Sequence, residues 1–361
     1  MNELSVSVII PTYNRARHIG RSLRSVLATM SPGDEVIVVD DGSTDNTRQA
    51  LEPYRDQIRY VLGPHRGVGA ARNRGIAEAR NPLVAFNDSD DEWFADKLAL
   101  QRGFMQARPD VLFCFSDIGL RDMDGTETHN GLFGWHRDPR SWNEILGPAV
   151  AYLSLASLPP GREDFKVHIG SLYETMLREN YVSSQTAVVR REQAGDALHF
   201  SEDISLYDDH ECFTRLARIG RAAYFDCETV WQCDHQGHRL SRSDTFHRAT
   251  CRITMLQRTF GADAHFLTQY KERYQEALKA EYLARARCLI RKGRRMEARE
   301  ELRLAGGGPL PLRLLTAIPG PLAQGIVGLA AHARHMILRS LMNNAVYAIL
   351  AVSTASSEYY G

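Results

Sequence analysis

Hydrophobic positions in the first 115 residues fall into short continuous runs separated by stretches of helical period. Val6-Ser7-Val8-Ile9-Ile10 has the character of a buried strand and stops at Pro11. Ile19, Leu23, Val26, Leu27 and Met30 then recur at the spacing of one helix face. Val36 to Val39 predicts a second strand, closed by Asp40-Asp41-Gly42, and Ser43, Thr44 and Asp45 offer caps for the helix after it. Ile58 to Leu62 predicts a third strand, Gly67 to Ala79 a Gly- and Ala-rich helix, and Leu83 to Phe86 a fourth strand that runs into Asn87-Asp88-Ser89-Asp90-Asp91. This alternation predicts an α/β fold, a mostly parallel sheet flanked by helices. Ligands of such sheets lie beyond the carboxyl ends of the strands, and that edge is where the acidic clusters fall.

Farther on, Val111 to Phe115 predicts another strand and Asp124-Gly125 a turn; the stretch from there to about Pro160 is irregular. Order returns at Ser184 to Arg190 and at Asp208 to Gly220, where Cys212, Phe213, Leu216 and Ile219 predict a buried helix face and Gly220 its end. Tyr270 to Arg291 predicts a long helix with Tyr274, Leu278, Tyr282 and Leu289 on one side, and Gly306 to Pro309 a linker. The tail holds two uncharged stretches, Leu314 to Ala331 and Ser340 to Ser357. Pro319-Gly320-Pro321 and Asn343-Asn344 make both poor candidates for a membrane span. Leu322, Ile326, Leu329, Ala333, Ile337 and Leu341 share a helical face instead, downstream of a basic segment from Arg285 to Arg295. That pattern fits either attachment to an anionic bilayer surface or packing against the core with a solvated basic face.

Composition narrows the class. The chain has 361 residues, 43% hydrophobic and 24% charged, enough to bury a sizeable core and far from a disordered composition. Lys+Arg and Asp+Glu both number 44, so no global basic surplus exists to drive nucleic-acid binding. Cys114, Cys212, Cys227, Cys233, Cys251 and Cys288 form no Cys-x-x-Cys pair, which fits neither a zinc site nor a disulfide framework. Residues 1–14 lack a basic n-region, and a cytoplasmic location is the expectation.

The chemistry concentrates at the strand ends. Asp88 and Asp90, two apart in an extended segment, can converge, and clustered carboxylates call for a cation. Mg²⁺ or Mn²⁺ takes such oxygens together with substrate phosphates; the competing reading is a polar loop with a helix cap. Asp41, after the second strand, can accept from a base or ribose, or can build an Asx turn with Gly42 and Ser43. Tyr13 can offer its ring to a nucleobase or merely pack. His65 to Asn73 sets glycines at a helix start favourable for anions, with Arg72 adding a full charge.

Four segments together, Val8 to Asn14, Val38 to Asp45, Gly67 to Asn73 and Asp88 to Asp91, resemble glycosyltransferase family 2 over roughly residues 4 to 240. The resemblance implies inverting enzymes of the GT-A fold, with a Rossmann-like nucleotide-binding half, that use nucleotide-sugar donors. On it, Pro11, Tyr13, Asp41 and Arg72 would line the nucleotide site. Asp88 and Asp90 would hold ribose, diphosphate and metal with Asp91 assisting, and Asn87 departs from the apolar residue usual before the first Asp. The family's general base is the Asp of an acidic pair at a helix start, which Asp208-Asp209 matches, although Asp208 stands where Glu is commoner. Asp209 is the expected base on this ground and because an inverting displacement needs one carboxylate to deprotonate the acceptor. Helix capping competes for Asp209, and Glu202-Asp203 is a second candidate. His235, in a segment where the family carries a histidine near the diphosphate, is an expected metal or leaving-group contact; the usual Arg is missing or displaced to Arg239. No Gln-x-x-Arg-Trp segment of processive synthases occurs, which favours single-sugar transfer.

The expectation is therefore a metal-dependent glycosyltransferase with a UDP-sugar donor and a glycan or lipid-linked acceptor in cell-surface polysaccharide assembly. It divides as 1–115 (nucleotide-sugar half), 116–245 (acceptor half) and 246–361 (helical extension, in membrane contact or in a homo-oligomer). The alternatives are a non-catalytic nucleotide-binding assembly protein and a sugar nucleotidyltransferase. The latter needs a Gly-rich basic loop after the first strand, which Pro11 to Arg15 does not supply.

Overall fold

The computed structural model describes residues 4–135, 138–234 and 244–318. Its first part alternates as predicted: β1 (Val6–Thr12), α1 (Ile19–Leu27), β2 (Glu35–Asp40), α2 (Thr47–Leu51), β3 (Arg59–Leu62), α3 (Val68–Glu78) and β4 (Leu83–Phe86). There follow β5 (Glu92–Trp93), α4 (Lys97–Ala107), β6 (Val111–Arg121), β7 (Glu127–Thr128), α5 (Gly131–Trp135), α6 (Trp142–Leu146), β8 (Ala149–Ala151) and β9 (Lys166–Gly170). After β10 (Val188–Arg190) and α7 (Arg191–Ala194) come α8 (Asp208–Ile219) and the long β11 (Arg221–Cys233). The rest is helical: α9 (Thr245–Thr259), α10 (Ala264–Arg291), α11 (Arg295–Leu304) and α12 (Leu310–Ala317).

The strands join in one sheet of order β3-β2-β1-β4-β10-β6-β11-β9-β8, with β5 on β11 and β7 on β6. β3, β2, β1 and β4 are parallel, and β10 enters antiparallel between β4 and β6. All seven residues of β1 are buried, because a strand covered on both faces reads as continuous apolar sequence. Register sets Thr12 beside Asp40 and Ile9 beside Phe86, so β1, β2 and β4 release Tyr13, Asp41 and Asn87 at the same sheet edge.

Two details differ from the periodicity. Ile219 is 55% exposed while Cys212, Phe213 and Leu216 are fully buried: α8 turns its last residue outward before Gly220. Gly220 itself is extended (φ −155°), not a left-handed cap. A Cβ there would sit 2.5 Å from Leu112 Cβ, so its smallness serves packing against β6.

The described residues divide into two compact units, Met1–Ser243 with Thr254–Tyr274, and Asp244–Ile253 with Gln275–Gly361. Segment 254–274 thus groups with the sheet unit, although the sequence-based boundary placed it in the extension. In the second unit Leu289, Ile290 and Ala298 form a small core against which Leu312, Leu315 and Ile318 pack. Arg299 Nη2 donates to Thr316 O (2.9 Å), satisfying a carbonyl at the end of α12. Among the described residues no helix is long and apolar enough to cross a membrane. The amphipathic stretch from Leu322 to Leu341 lies outside the described residues.

Candidate active site

The loops leaving β1 and β2 are built on each other. Asn14, in the left-handed region (φ 52°), accepts with Oδ1 from the backbone N–H of Thr44 (2.8 Å) and Asp45 (3.2 Å). Asp40 accepts from Ser43 N (2.8 Å) and the Tyr60 hydroxyl (2.7 Å). Asp45, expected with Ser43 and Thr44 as a cap, does accept from Thr47 N (2.9 Å) at the start of α2. Pro11 is buried within β1 and Tyr13 stands at its mouth, 37% exposed, stacked on the His65 ring (centroids 4.0 Å, planes at 20°).

Asp41 is 4% exposed and spends its carboxylate on the next loop: Oδ1 accepts from Arg66 N (2.8 Å) and Oδ2 from Gly67 N (2.7 Å). The anion that the glycine-rich helix start was expected to attract is, in this structure, the chain's own. The two glycines have separate reasons. Gly67 takes φ +97°, and Gly69 brings α3 so close to the 200–201 segment that a Cβ would stand 2.6 Å from Ser201 O.

Arg72 ties the two halves of the site together. It lies on the buried face of α3 (6% exposed), donates with Nη2 to Asp88 Oδ1 (3.0 Å) and Ser184 Oγ (3.1 Å), and with Nη1 to Asp208 Oδ2 (3.0 Å). Its planar fork permits this bridge, which a point-charge ammonium could not make in the same way. Burial opposes its charge, but Asp88 and Asp208 outweigh burial and hold it more firmly protonated than usual.

On the far side of that bridge is α8. Tyr207, just before it, is in the left-handed region (φ 65°), a costly conformation for a bulky residue and one that recurs at functional sites. Asp209 is half-buried in the first turn and accepts from Asn180 Nδ2 (3.1 Å). Burial first, then the charge of Asp208, raise its carboxyl to about 6, with Arg72 and the His210 amide opposing. Asp208 is also raised, by burial, against the pull of Arg72. Glu202 is engaged elsewhere, with Arg66 (2.6 Å) and Asn73 Nδ2 (3.1 Å), and Asp203 pairs with Arg258. The acidic pair 202–203 is thus tied down by cations while 208–209 faces Asp88 through Arg72.

The Asp88–Asp91 loop is only partly available to a cation. Asp88 and Asp90, 32% and 18% exposed, take Arg72 and Arg15 Nε (3.2 Å) as partners. Asp91 departs from the expected assisting ligand. It is 3% exposed and accepts from Cys233 N (3.0 Å), joining the loop to β11. Among the described residues no three His, Cys, Asp or Glu side chains form a protein-only cation cage. Mg²⁺ and Mn²⁺ commonly need only one or two carboxylates when substrate phosphates complete the shell, and Asp88 with Asp90 fits that smaller set. His235 lies outside the described residues.

Sequence reasoning missed Arg15, Asn73, Asn180 and Ser184. No motif marks the last two, which reach the site from an irregular stretch and a 3₁₀ turn. Asn73 was quoted only as part of a motif, yet its amide grips both Phe200 N and Phe200 O (2.7 Å each).

The model of the glycosyl transferase family 2 matches residues 7–151. The matched segment is 145 of the chain's 361 residues, and it is this part of the chain that is similar to glycosyl transferase family 2. The matched segment runs from β1 to β8 and so takes in the Asp41 loop, Arg72 and Asp88–Asp91; Asp209 lies beyond it. Over 125 residues, 34% of this chain, it is 42% identical to a Bacillus subtilis (strain 168) protein named as a teichuronic acid biosynthesis glycosyltransferase, TuaG, of which the match covers 49%. Over 107 residues (29% of this chain, 42% of the other) it is 38% identical to the Escherichia coli UDP-Glc:alpha-D-GlcNAc-diphosphoundecaprenol beta-1,3-glucosyltransferase WfgD. The match spans about half or less of these curated relatives. In fold this chain resembles S. aureus TarS 1–349, solved with UDP-GlcNAc, at a TM-score of 0.52 and 19% identity over 82% of this chain and 88% of that one. The expected mostly parallel sheet flanked by helices is thereby the architecture of this chain.

Proposed function

We propose that this glycosyltransferase moves one sugar, with inversion, from a nucleoside-diphosphate donor to a hydroxyl of a glycan or lipid-linked acceptor in cell-surface polysaccharide assembly. The carrying observation is the Arg72 bridge, which sets the Asp88 loop on one side and the Asp208-Asp209 pair on the other. A UDP-sugar is the first donor to test, in keeping with TarS and with the name of WfgD. Tyr13 faces the nucleoside, and Asp41 supports that side of the site by holding the Arg66–Gly67 loop.

Asp209 removes the acceptor proton as the hydroxyl attacks the anomeric carbon and the nucleoside diphosphate leaves from the opposite face. A carboxyl raised to about 6 is well matched to that task, being ionised at neutral pH yet more basic than an ordinary aspartate. Asn180 orients it through the 3.1 Å bond, and Arg72 keeps the donor loop and the base in register. Asp88 and Asp90 would hold Mg²⁺ or Mn²⁺, which supplies charge neutralisation on the diphosphate when bound.

Calorimetric titration with UDP, dTDP and GDP, with and without Mn²⁺, tests the donor site. One nucleotide should bind in a Mn²⁺-dependent way that Asp90→Ala abolishes. Asp209→Asn should keep that binding and lose transfer about 10²- to 10⁴-fold; unchanged transfer would remove Asp209 from the role.

We assign the work to the cytoplasmic face of a membrane. From Arg285 to Ile318 the chain carries nine Lys and Arg against three Glu, and α12 turns Leu310 (64% exposed) and Leu314 (56%) outward. Such a surface suits anionic lipid. The full chain should float with phosphatidylglycerol vesicles and not with phosphatidylcholine ones. The double variant Leu310→Asp/Leu314→Asp should stay behind, and equal flotation of that variant would discard the surface.

A further inference from the structure

The loop that carries Asp88 and Asp90 runs directly into a second cleft that no part of the donor chemistry uses. It is an open cleft of about 450 Å³ walled by Trp93, Phe94, Asp96, Pro160, Arg162 and Trp231. Trp93 is three residues from Asp90, so their Cα atoms are no more than about 11 Å apart along the chain. The cleft therefore begins next to the donor loop.

Its lining is apolar and flat on one part, paired and polar on the other. Phe94 and Trp231 lie with ring centroids 5.4 Å apart and planes inclined at 38°. Both are partly exposed. Trp231 is seated by three features: Gly119, whose missing Cβ would fall 2.2 Å from Trp231 Cζ3, the guanidinium of Arg121 over its ring at 4.8 Å, and pairing of Trp231 with Glu92 across β11 and β5. Opposite the aromatic wall, Arg162 Nη1 meets Asp96 Oδ2 at 3.3 Å, with side chains 20% and 23% exposed. Arg162 is steadied by donating to Glu228 O (2.9 Å).

The charge in this lining is balanced, one guanidinium against one carboxylate, which disfavours a phosphate or a nucleotide. The ion pair also disfavours an acyl chain, which would have to desolvate it with nothing in return. A neutral ligand with an apolar face and a rim of hydroxyls satisfies both parts: its C–H face lies on the rings, and adjacent hydroxyls accept from Arg162 and donate to Asp96. We infer that this cleft binds a pyranose ring of the acceptor glycan, beyond the hydroxyl that receives the new sugar. The inference rests on the glycosyltransferase reading above and specifies where that reading's acceptor is held.

The test uses the full chain and p-nitrophenyl glycosides of glucose, N-acetylglucosamine and galactose, followed by saturation-transfer NMR and tryptophan fluorescence, with UDP titration of the same samples. At least one glycoside should bind wild type. Phe94→Ala and Arg162→Ala should each weaken it 10-fold or more, with UDP affinity unchanged, which also reports an intact fold. Glycoside binding untouched by both variants, or absent for all three glycosides while UDP binds, would overturn the cleft and spare the donor site. Loss of UDP binding by the wild type itself would instead strike the underlying reading.

Discussion

Asp209 is where burial and function meet most directly. Its carboxyl, raised from 3.8 to about 6 by burial and by Asp208, binds a proton more tightly in the folded chain than in the unfolded one. Two consequences follow from one shift. Transfer should rise with pH through about 6 as the base ionises, then level off, which a pH profile of kcat/KM would report. Stability runs the other way: between about pH 3.8 and 6 the folded state holds more protons, so this group's contribution falls as pH rises and stays low above 6. Asp209→Asn should therefore melt higher than wild type at pH 7.5, by about 2–4 °C for each kcal/mol relieved, and show little gain at pH 4. A melting temperature unchanged at pH 7.5 would mean that Asp209 is not destabilised by its surroundings. At this scale the sequence made Asp209 legible through its acidic pair. It did not reveal Asn180, because a lone Asn in an irregular stretch has no pattern to announce it.

Helix α3 shows how one element can serve fold and site together. Its start looked like an anion cradle, yet the amides of Arg66 and Gly67 are bound to Asp41, and the glycines meet steric demands. Gly69→Ala would press a methyl group onto the Ser201 carbonyl at 2.6 Å, a backbone atom that cannot swing aside. The expected cost is about 1–3 kcal/mol, read as a lower denaturation midpoint. Gly134→Ala, at an exposed position in α5 with no neighbour within 4 Å among the described residues, is the matched control and should be neutral or stabilising. Equal midpoints for the two variants would show that α3 can move off the 200–201 segment.

At the scale of the whole molecule, the sheet unit buries Lys97 with no acidic partner among its hydrogen bonds. Lys97 is fully buried, donates to Gln101 Oε1 (2.6 Å) and Thr186 O (3.0 Å), and lies over the Trp93 ring at 4.9 Å. Burial brings its ammonium down from 10.5 to about 7. The unfolded chain thus holds the extra proton between about pH 7 and 10.5, and stability rises with pH across that window. Lys97→Met, which keeps the volume, should raise the melting temperature most at or below pH 7, with the gain shrinking toward pH 10. A gain independent of pH would show that packing, not charge, decides this position.

What the sequence determined by itself was what is local or periodic. Runs such as Val6–Ile10 and Val36–Val39 specify buried parallel strands, because only strands covered on both faces are apolar throughout. The acidic clusters at their ends then fall at one edge. The tertiary structure decided which charges meet. Arg72 and Asp208 are separated by 136 residues, and neither Asp91's turn toward β11 nor the pairing of Glu202 with Arg66 is written in any spacing. Ion pairs over such separations depend on how layers stack and on which side chains burial forces to find partners. Periodicity constrains neither of these.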